Sequence, residues 1–297
     1  KLKMNVAICI CGEPRMKEYG AASLKKFRED IKQYQGFYGL VGDVKLDVFY
    51  HIWDHVTKRQ RNHKSQDPFV EYVTKKELDD LFLPTVGHMA DKNEMDDEID
   101  YIWDYVCSLN EPNPRYDTKE ILKNQIYYSN TPGYSQLHSL CKNQLMRIEY
   151  EEKNNIKYDL IIKTRTDVEF KCQPDFTHIK KIAKDSNFQE QIFLPKIEVW
   201  SVKRNPLIIP EFSLFFGNSK TLNKNIWENY PQKIASDLYT YRGGKHLSVL
   251  NDHTVFMNLL LNNAKVKVHG YLRDTLKYRL HQMPEHYNEQ KRKYSHY

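Results

Sequence analysis

The chain carries no H-E-x-x-H, no C-x-x-C pair and no G-x-S-x-G, so zinc proteolysis and serine hydrolysis of the common kinds have no footing in it. It also has neither a Walker loop nor a G-x-G-x-x-G fingerprint, which sets aside phosphate binding by those two glycine-rich loops. No apolar run approaches the roughly 20 residues needed to span a bilayer. The apolar stretch from Met4 to Cys11 is too short and wrongly flanked for a secretory signal. The five cysteines (Cys9, Cys11, Cys107, Cys141 and Cys172) are odd in number, which does not suit a disulfide scaffold. Cys9 and Cys11 lie in an apolar run and read as small hydrophobes. The expectation is a reducing, cytoplasmic setting. Internal repeats and low-complexity linkers are absent as well.

What is present is globular: 297 residues, 40% hydrophobic and 28% charged, enough for one large unit or two fused ones. The net charge of +6 suits anionic ligands such as nucleotides, but it is too dispersed to suggest nucleic acid, which is not an expected partner. The 21 tyrosines offer stacking faces and hydroxyls suited to sugars or bases, although half-buried structural positions account for most tyrosines. An acidic block from Asp91 to Asp104 and a basic tail after Lys277 read as solvated surfaces.

The segment from Tyr158 to Glu169 is the most telling. Leu160, Ile161 and Ile162 read as a strand buried on both faces, followed at once by Lys163, Arg165, Asp167 and Glu169. Ionisable groups just past the carboxyl end of such a strand lie where open α/β sheets bind ligands. If the strand continued, Arg165, Asp167 and Glu169 would share a face, and Arg165 would pair with Asp167 or meet phosphate directly. Asn5 to Cys11 and Leu46 to Trp53 read as two further strands ending in polar loops, with a helix from about Ala21 to Gln33 between them. A short helix is expected over Lys75 to Leu83, an acidic amphipathic one over residues 94–109, and the clearest over Tyr134 to Lys153. In this last helix Leu137, Cys141, Leu145 and Ile148 recur at helical spacing. Helix then strand at 134–163 implies a parallel crossover, hence an α/β fold. Later strands are expected at Gln191 to Leu194, Ile197 to Val202, Phe212 to Phe216 and from Lys265, with helices at Leu222 to Asn229 and Asp252 to Asn262.

Several residues are candidates for chemistry. Gly12 lets the backbone approach a ligand, and Arg15 can reach phosphate; a plain tight turn explains Gly12-Glu13-Pro14-Arg15 equally well. Asp54 is a nucleotide contact or a turn residue. Asp167 is a carboxylate positioned for a metal that bridges two phosphates. Asp252 is a helix cap or a general base, with His253 and Glu211 as further bases; His269 is an edge histidine or a metal ligand facing Asp167.

Four segments in order are similar to one family: Val6-Ala-Ile-Cys-Ile-Cys-Gly-Glu-Pro-Arg15, Asp47-Val-Phe-Tyr-His-Ile-Trp-Asp54, the helix beginning Tyr134-Ser-Gln-Leu-His-Ser, and Tyr158-Asp-Leu-Ile-Ile-Lys-Thr-Arg-Thr-Asp167. Together they resemble GT-A-type glycosyltransferases of bacteria and large viruses. The resemblance covers residues 4–54 and 130–170, and continues more faintly through Phe212 to Gly217 and Asp252. It implies a Rossmann-like, mixed and mostly parallel sheet flanked by helices. Residues 1–170 would be the nucleotide-sugar half, with a helical insertion around 55–130, and 171–297 the acceptor half of the same unit. It further implies a nucleotide-sugar donor, a glycan or other hydroxyl acceptor, and Mn2+ or Mg2+ on an Asp-x-Asp motif. Here that motif stands as Arg165-Thr166-Asp167, without its first Asp. Gly12, Arg15, Asp54 and Arg165 would line the donor site, Asp167 and His269 the metal, and Asp252 (then Glu211) would be the base. A nucleotidyltransferase and a non-catalytic glycan- or nucleic-acid-binding module are the other readings the residues allow.

Overall fold

A computed structural model describes residues 4–15, 17–37, 44–57, 69–108, 133–170, 191–194, 197–202, 205–210, 215–223, 265–268 and 278–280. In chain order these form β1 (Met4–Gly12), α1 (Lys17–Phe37), β2 (Val44–Trp53), β3 (His55–Thr57), β4 (Phe69–Tyr72), α2 (Lys75–Phe82), β5 (Val86–Ala90) and α3 (Lys92–Ser108). They continue as α4 (Gly133–Asn154), β6 (Leu160–Thr164), β7 (Val168–Phe170), β8 (Gln191–Leu194), β9 (Ile197–Val202), β10 (Asn205–Pro210), β11 (Phe215–Gly217), α5 (Ser219–Leu222), β12 (Lys265–Val268) and β13 (Tyr278–Leu280).

Seven strands make one sheet in the order β12-β8-β11-β6-β1-β2-β5. Four of its six pairings are parallel, and β11 runs against both its neighbours. The chain is therefore mixed α/β with a mostly parallel sheet flanked by helices, as the strand and helix pattern implies. The sheet draws strands from both sides of residue 170. Pairs β3–β4, β9–β10 and β7–β13 lie outside it.

β1 sits at the centre, paired to β2 from Met4↔Val44 to Gly12↔Ile52 and to β6 from Val6↔Leu160 to Ile10↔Thr164. Alternation sends Val6, Ile8 and Ile10 to one face, where they meet Leu24, Phe27 and Ile31 of α1 together with Leu78 and Phe82 of α2. Each such side chain is worth about 1.5–3 kcal/mol when fully buried. Ala7, Cys9 and Cys11 go to the other face, where α4 lies: Asn143 Nδ2 donates to the Ile10 carbonyl at 2.9 Å, and Tyr150 meets Phe49 edge-on at 5.5 Å. Cys9, Cys11 and Cys141 are buried free thiols on that side; burial pushes Cys9 up to about 12, far from thiolate chemistry.

α2 starts on Thr74, whose Oγ1 accepts from Glu77 N at 3.2 Å, and stops at Leu83 in the left-handed region (φ 44°). β5 is one of the strands that sequence pattern does not reveal, because Val86-Gly-His-Met-Ala has no clean alternation; it is recruited by pairing with β2. The chain also breaks after Thr164 instead of extending: residues 165–167 form a turn closed by Val168 N to Arg165 O at 3.3 Å. No helix among the described residues is long and apolar enough to cross a membrane.

At the far end of α4 a polar knot ties helix to sheet. Arg147 and Glu151 form an ion pair with no side-chain exposure. Arg147 Nη2 also donates to Asn223 Oδ1 at 2.7 Å, and Ser219 Oγ donates to Glu151 Oε1 at 2.6 Å. Removing one member leaves the other charge buried without its partner. Glu151→Ala is expected to cost about 3–5 kcal/mol in urea unfolding; a loss under 1 kcal/mol contradicts this role for the pair.

Candidate functional site

β1 makes its first crossover through α1 to β2 on one side, and the chain later returns through α4 to β6 on the other. The two helices lie on opposite faces, so the carboxyl ends of β1 and β6 form a switch point, the place where α/β sheets bind ligands. Two loops meet there. At the end of β1, Gly12 takes φ +109°, a conformation suited to glycine; the residue is buried, yet a Cβ on it would meet nothing within 4 Å. After β6 comes the Arg165-Thr166-Asp167 turn. Thr166 stitches the two together: its hydroxyl lies 2.7 Å from Glu13 O and 2.9 Å from Arg15 O, its one proton shared between these carbonyls. The start of α1 packs so tightly here that a Cβ at Gly20 would stand 2.5 Å from the Thr166 carbonyl oxygen.

The charges at this edge are paired. Both oxygens of the buried Asp167 carboxylate accept from Arg165, one from Nε at 2.9 Å and the other from Nη2. Arg15 bonds Glu13 at 2.5 Å. Lys17, largely buried, lies 3.3 Å from both Glu18 and Glu77. Four cations (Arg15, Lys17, Lys163, Arg165) therefore stand with four carboxylates (Glu13, Glu18, Glu77, Asp167), and three of the cations are held in ion pairs.

Of the expected donor residues, Gly12, Arg15, Arg165 and Asp167 converge on this edge. Asp54 ends the neighbouring strand β2, where it pairs with Nδ1 of His55. Glu211, Asp252, His253 and His269 lie outside the described residues. For a divalent metal the fit is poor among the described residues: a metal at Asp167 must take an oxygen from Arg165.

A second cluster lies at the ends of β2 and β5, on the α4 face. His51 and His88 are register partners with rings stacked at 4.9 Å. Glu94, in the first turn of α3, and His138, on α4, close the group. Glu94 Oε1 is 3.0 Å from His51 Nε2 and 2.8 Å from His138 Nε2, and Glu94 Oε2 is 2.7 Å from His88 Nε2. Trp53 covers it, its ring 5.4 Å from that of His138. Sequence reading missed this group because its members come from four separate elements. The available signal was Asp91-Lys-Asn-Glu94, a helix-capping pattern in which Asp91 Oδ1 does accept from Glu94 N at 3.0 Å. The Glu94 side chain, released from capping, turns to the histidines.

A groove lined by Tyr158, Asp159, Asn218 and Lys220 opens at the opposite, amino end of β6, away from both clusters.

No protein-family model matches the chain, and no curated protein matches it in sequence. Among solved structures, mouse xyloside xylosyltransferase 1 in its apo form is similar at 11% identity and a TM-score of 0.36, over 92% of this chain and 90% of that one. A glycosyltransferase involved in the glycosylation of the major capsid of PBCV-1 is similar at 10% identity and a TM-score of 0.29, over 90% of this chain and 81% of that one. At scores this low neither likeness says what this chain does, and fold and site rest on its own residues.

Burial pushes His51 down to about 4, while the hydrogen bond that His88 donates to Glu94 holds His88 above its usual 6.5. Burial by itself would raise Glu94, yet its contacts with His138, His51 and His88 hold it well below the carboxylate range. The signs differ. Below about 6.5 the unfolded chain protonates at this position before folded His51 does, so His51 costs stability as pH falls towards 4. His88 contributes stability fully below 6.5 and loses it as pH rises through its raised value. NMR titration of the metal-free chain should therefore show His51 neutral until the pH nears 4 and His88 titrating above 6.5. The reverse order contradicts the geometry.

Proposed function

We propose that the chain is a glycosyltransferase that holds the diphosphate of a nucleotide-sugar donor across the carboxyl ends of β1 and β6 and transfers the sugar to a hydroxyl acceptor, a glycan in the simplest case. The observation that carries this is the stitched pair of loops at the switch point. Gly12 with room for a Cβ, the Arg15 side chain and the Arg165 guanidinium, oriented by Asp167, meet at one edge. The ordered resemblance of four segments to GT-A enzymes supports the same reading.

The chemistry asks for little covalent work from the protein. The C–O bond to the anomeric carbon breaks, and negative charge collects on the departing nucleoside diphosphate. Fixed cations placed where that charge develops lower the barrier. Arg165, held in place by two bonds to Asp167, is suited to this: a planar fork matches phosphate oxygens, and its orientation is set before the donor arrives. Asp167 then acts through Arg165 as a positioning residue. A metal at Asp167, with His269 as a second ligand, is the competing arrangement for the same charge. Asp252, then Glu211, remain the proposed bases for deprotonating the acceptor if the reaction inverts configuration.

The test is release of nucleoside diphosphate from a panel of nucleotide sugars, with and without Mn2+. The expected result is turnover of at least one donor, and a loss of about 100-fold or more in kcat for Arg165→Gln. Asp167→Asn should fall nearly as far while keeping the wild-type circular dichroism. Absence of turnover and of nucleotide-sugar binding across the panel sinks the proposal, and pyrophosphate release from a nucleoside triphosphate would replace it with nucleotidyl transfer.

A further inference from the structure

Residues 51, 94 and 138 come from a strand end and two different helices, yet their ligand atoms all lie within 4.8 Å of one another. Among the described residues this is the one group of three histidine, cysteine or carboxylate side chains so arranged. The Ser139 hydroxyl lies 3.0 Å from the His51 carbonyl oxygen, to which it donates, and 2.9 Å from His51 Nδ1. His51 Nε2 stands 3.0 Å and His138 Nε2 2.8 Å from Glu94 Oε1, so two buried imidazoles converge on one carboxylate oxygen.

We infer that His51, Glu94 and His138 form a binding site for one transition-metal ion of the zinc class. Two imidazole nitrogens and one carboxylate oxygen suit zinc or cobalt, whereas magnesium and calcium prefer all-oxygen sets. Bonds of about 2.1 Å in tetrahedral array put ligand atoms about 3.4 Å apart. The observed 2.8 and 3.0 Å need to open by only a few tenths of an ångström. The outer shell is already built: Ser139 orients His51, and His88 holds the second Glu94 oxygen at 2.7 Å. His51 and His138 are buried while His88 is about half exposed, so an ion enters from the Glu94 side and keeps its fourth position towards solvent. The bound ion joins α3 and α4 to the end of β2. It is separate from any metal on the donor diphosphate, and its test reads binding instead of turnover, so the glycosyltransferase proposal can fail without it.

The experiment strips the full chain with a chelator and titrates it with Co2+, then Zn2+. One equivalent of Co2+ should bind with the intense visible bands of a four-coordinate site and be displaced by Zn2+. Mg2+ should neither bind there nor compete. His138→Gln and Glu94→Gln should each abolish that equivalent, and His88→Ala should weaken it about 10- to 100-fold. X-ray absorption of the zinc-loaded wild type gives an answer even if a variant does not fold: nitrogen and oxygen near 2.0–2.1 Å is the expected shell. Failure of the wild type to bind one equivalent overturns the inference, as does a sulfur shell or an undiminished site in both ligand variants.

Discussion

A central parallel strand must be paired along both edges and covered on both faces, and β1 meets all four demands. Any backbone group left unpaired there would cost as much as a lost hydrogen bond. This burial dictates the rest of the described structure. Covering one face requires α1, and covering the other requires α4. Because the chain leaves β1 through α1 to reach β2 and returns through α4 to reach β6, the two crossovers diverge. The switch point between β1 and β6 is the consequence of that divergence, and the charged loops sit at it.

The two faces of the sheet are built with different chemistry. On the α1 side, Val6, Ile8, Ile10, Val48, Tyr50 and Ile52 form an apolar layer that supplies most of the burial. On the α4 side the layer is mixed, with buried Asp47, His51, His138, Arg147 and Glu151. Buried charges of this kind are held by mutual satisfaction: Asp47 accepts from Tyr158 Oη at 2.9 Å, and Glu151 is met by Arg147, Ser219 and Asn223. Such networks contribute little net stability but tolerate few alternative arrangements. They fix α4, and through it His138, relative to β2.

How much of this is legible in the sequence follows from range. β1, β2, β6 and α4 are plain in the residue pattern because local apolar periodicity alone defines them. α1 extends from Lys17 to Phe37, longer than the apolar stripe from Ala21 to Gln33. β5, β7, β10 and β13 have no such pattern: β5 pairs with β2, β10 with β9, and β7 and β13 with each other. The site divides the same way. Gly12, Arg15, Arg165 and Asp167 are readable because each follows directly on a strand. The Arg165–Asp167 pair is foreseeable, but it forms within a turn and not along a continuing strand. The Thr166 stitch and the His51–Glu94–His138 group join residues more than 40 positions apart, which no local pattern encodes.

The central claim is that the edge joining β1 to β6 receives the donor diphosphate. Backbone NMR of the chain titrated with a panel of nucleoside diphosphates tests it most directly. The account predicts that the amides of Gly12, Glu13, Arg165 and Thr166 shift together and saturate at a common concentration, while those around Glu151 and Ser219 at the opposite end stay fixed. Saturable shifts confined to that opposite end, or none at the β1–β6 edge with any nucleotide, would contradict it.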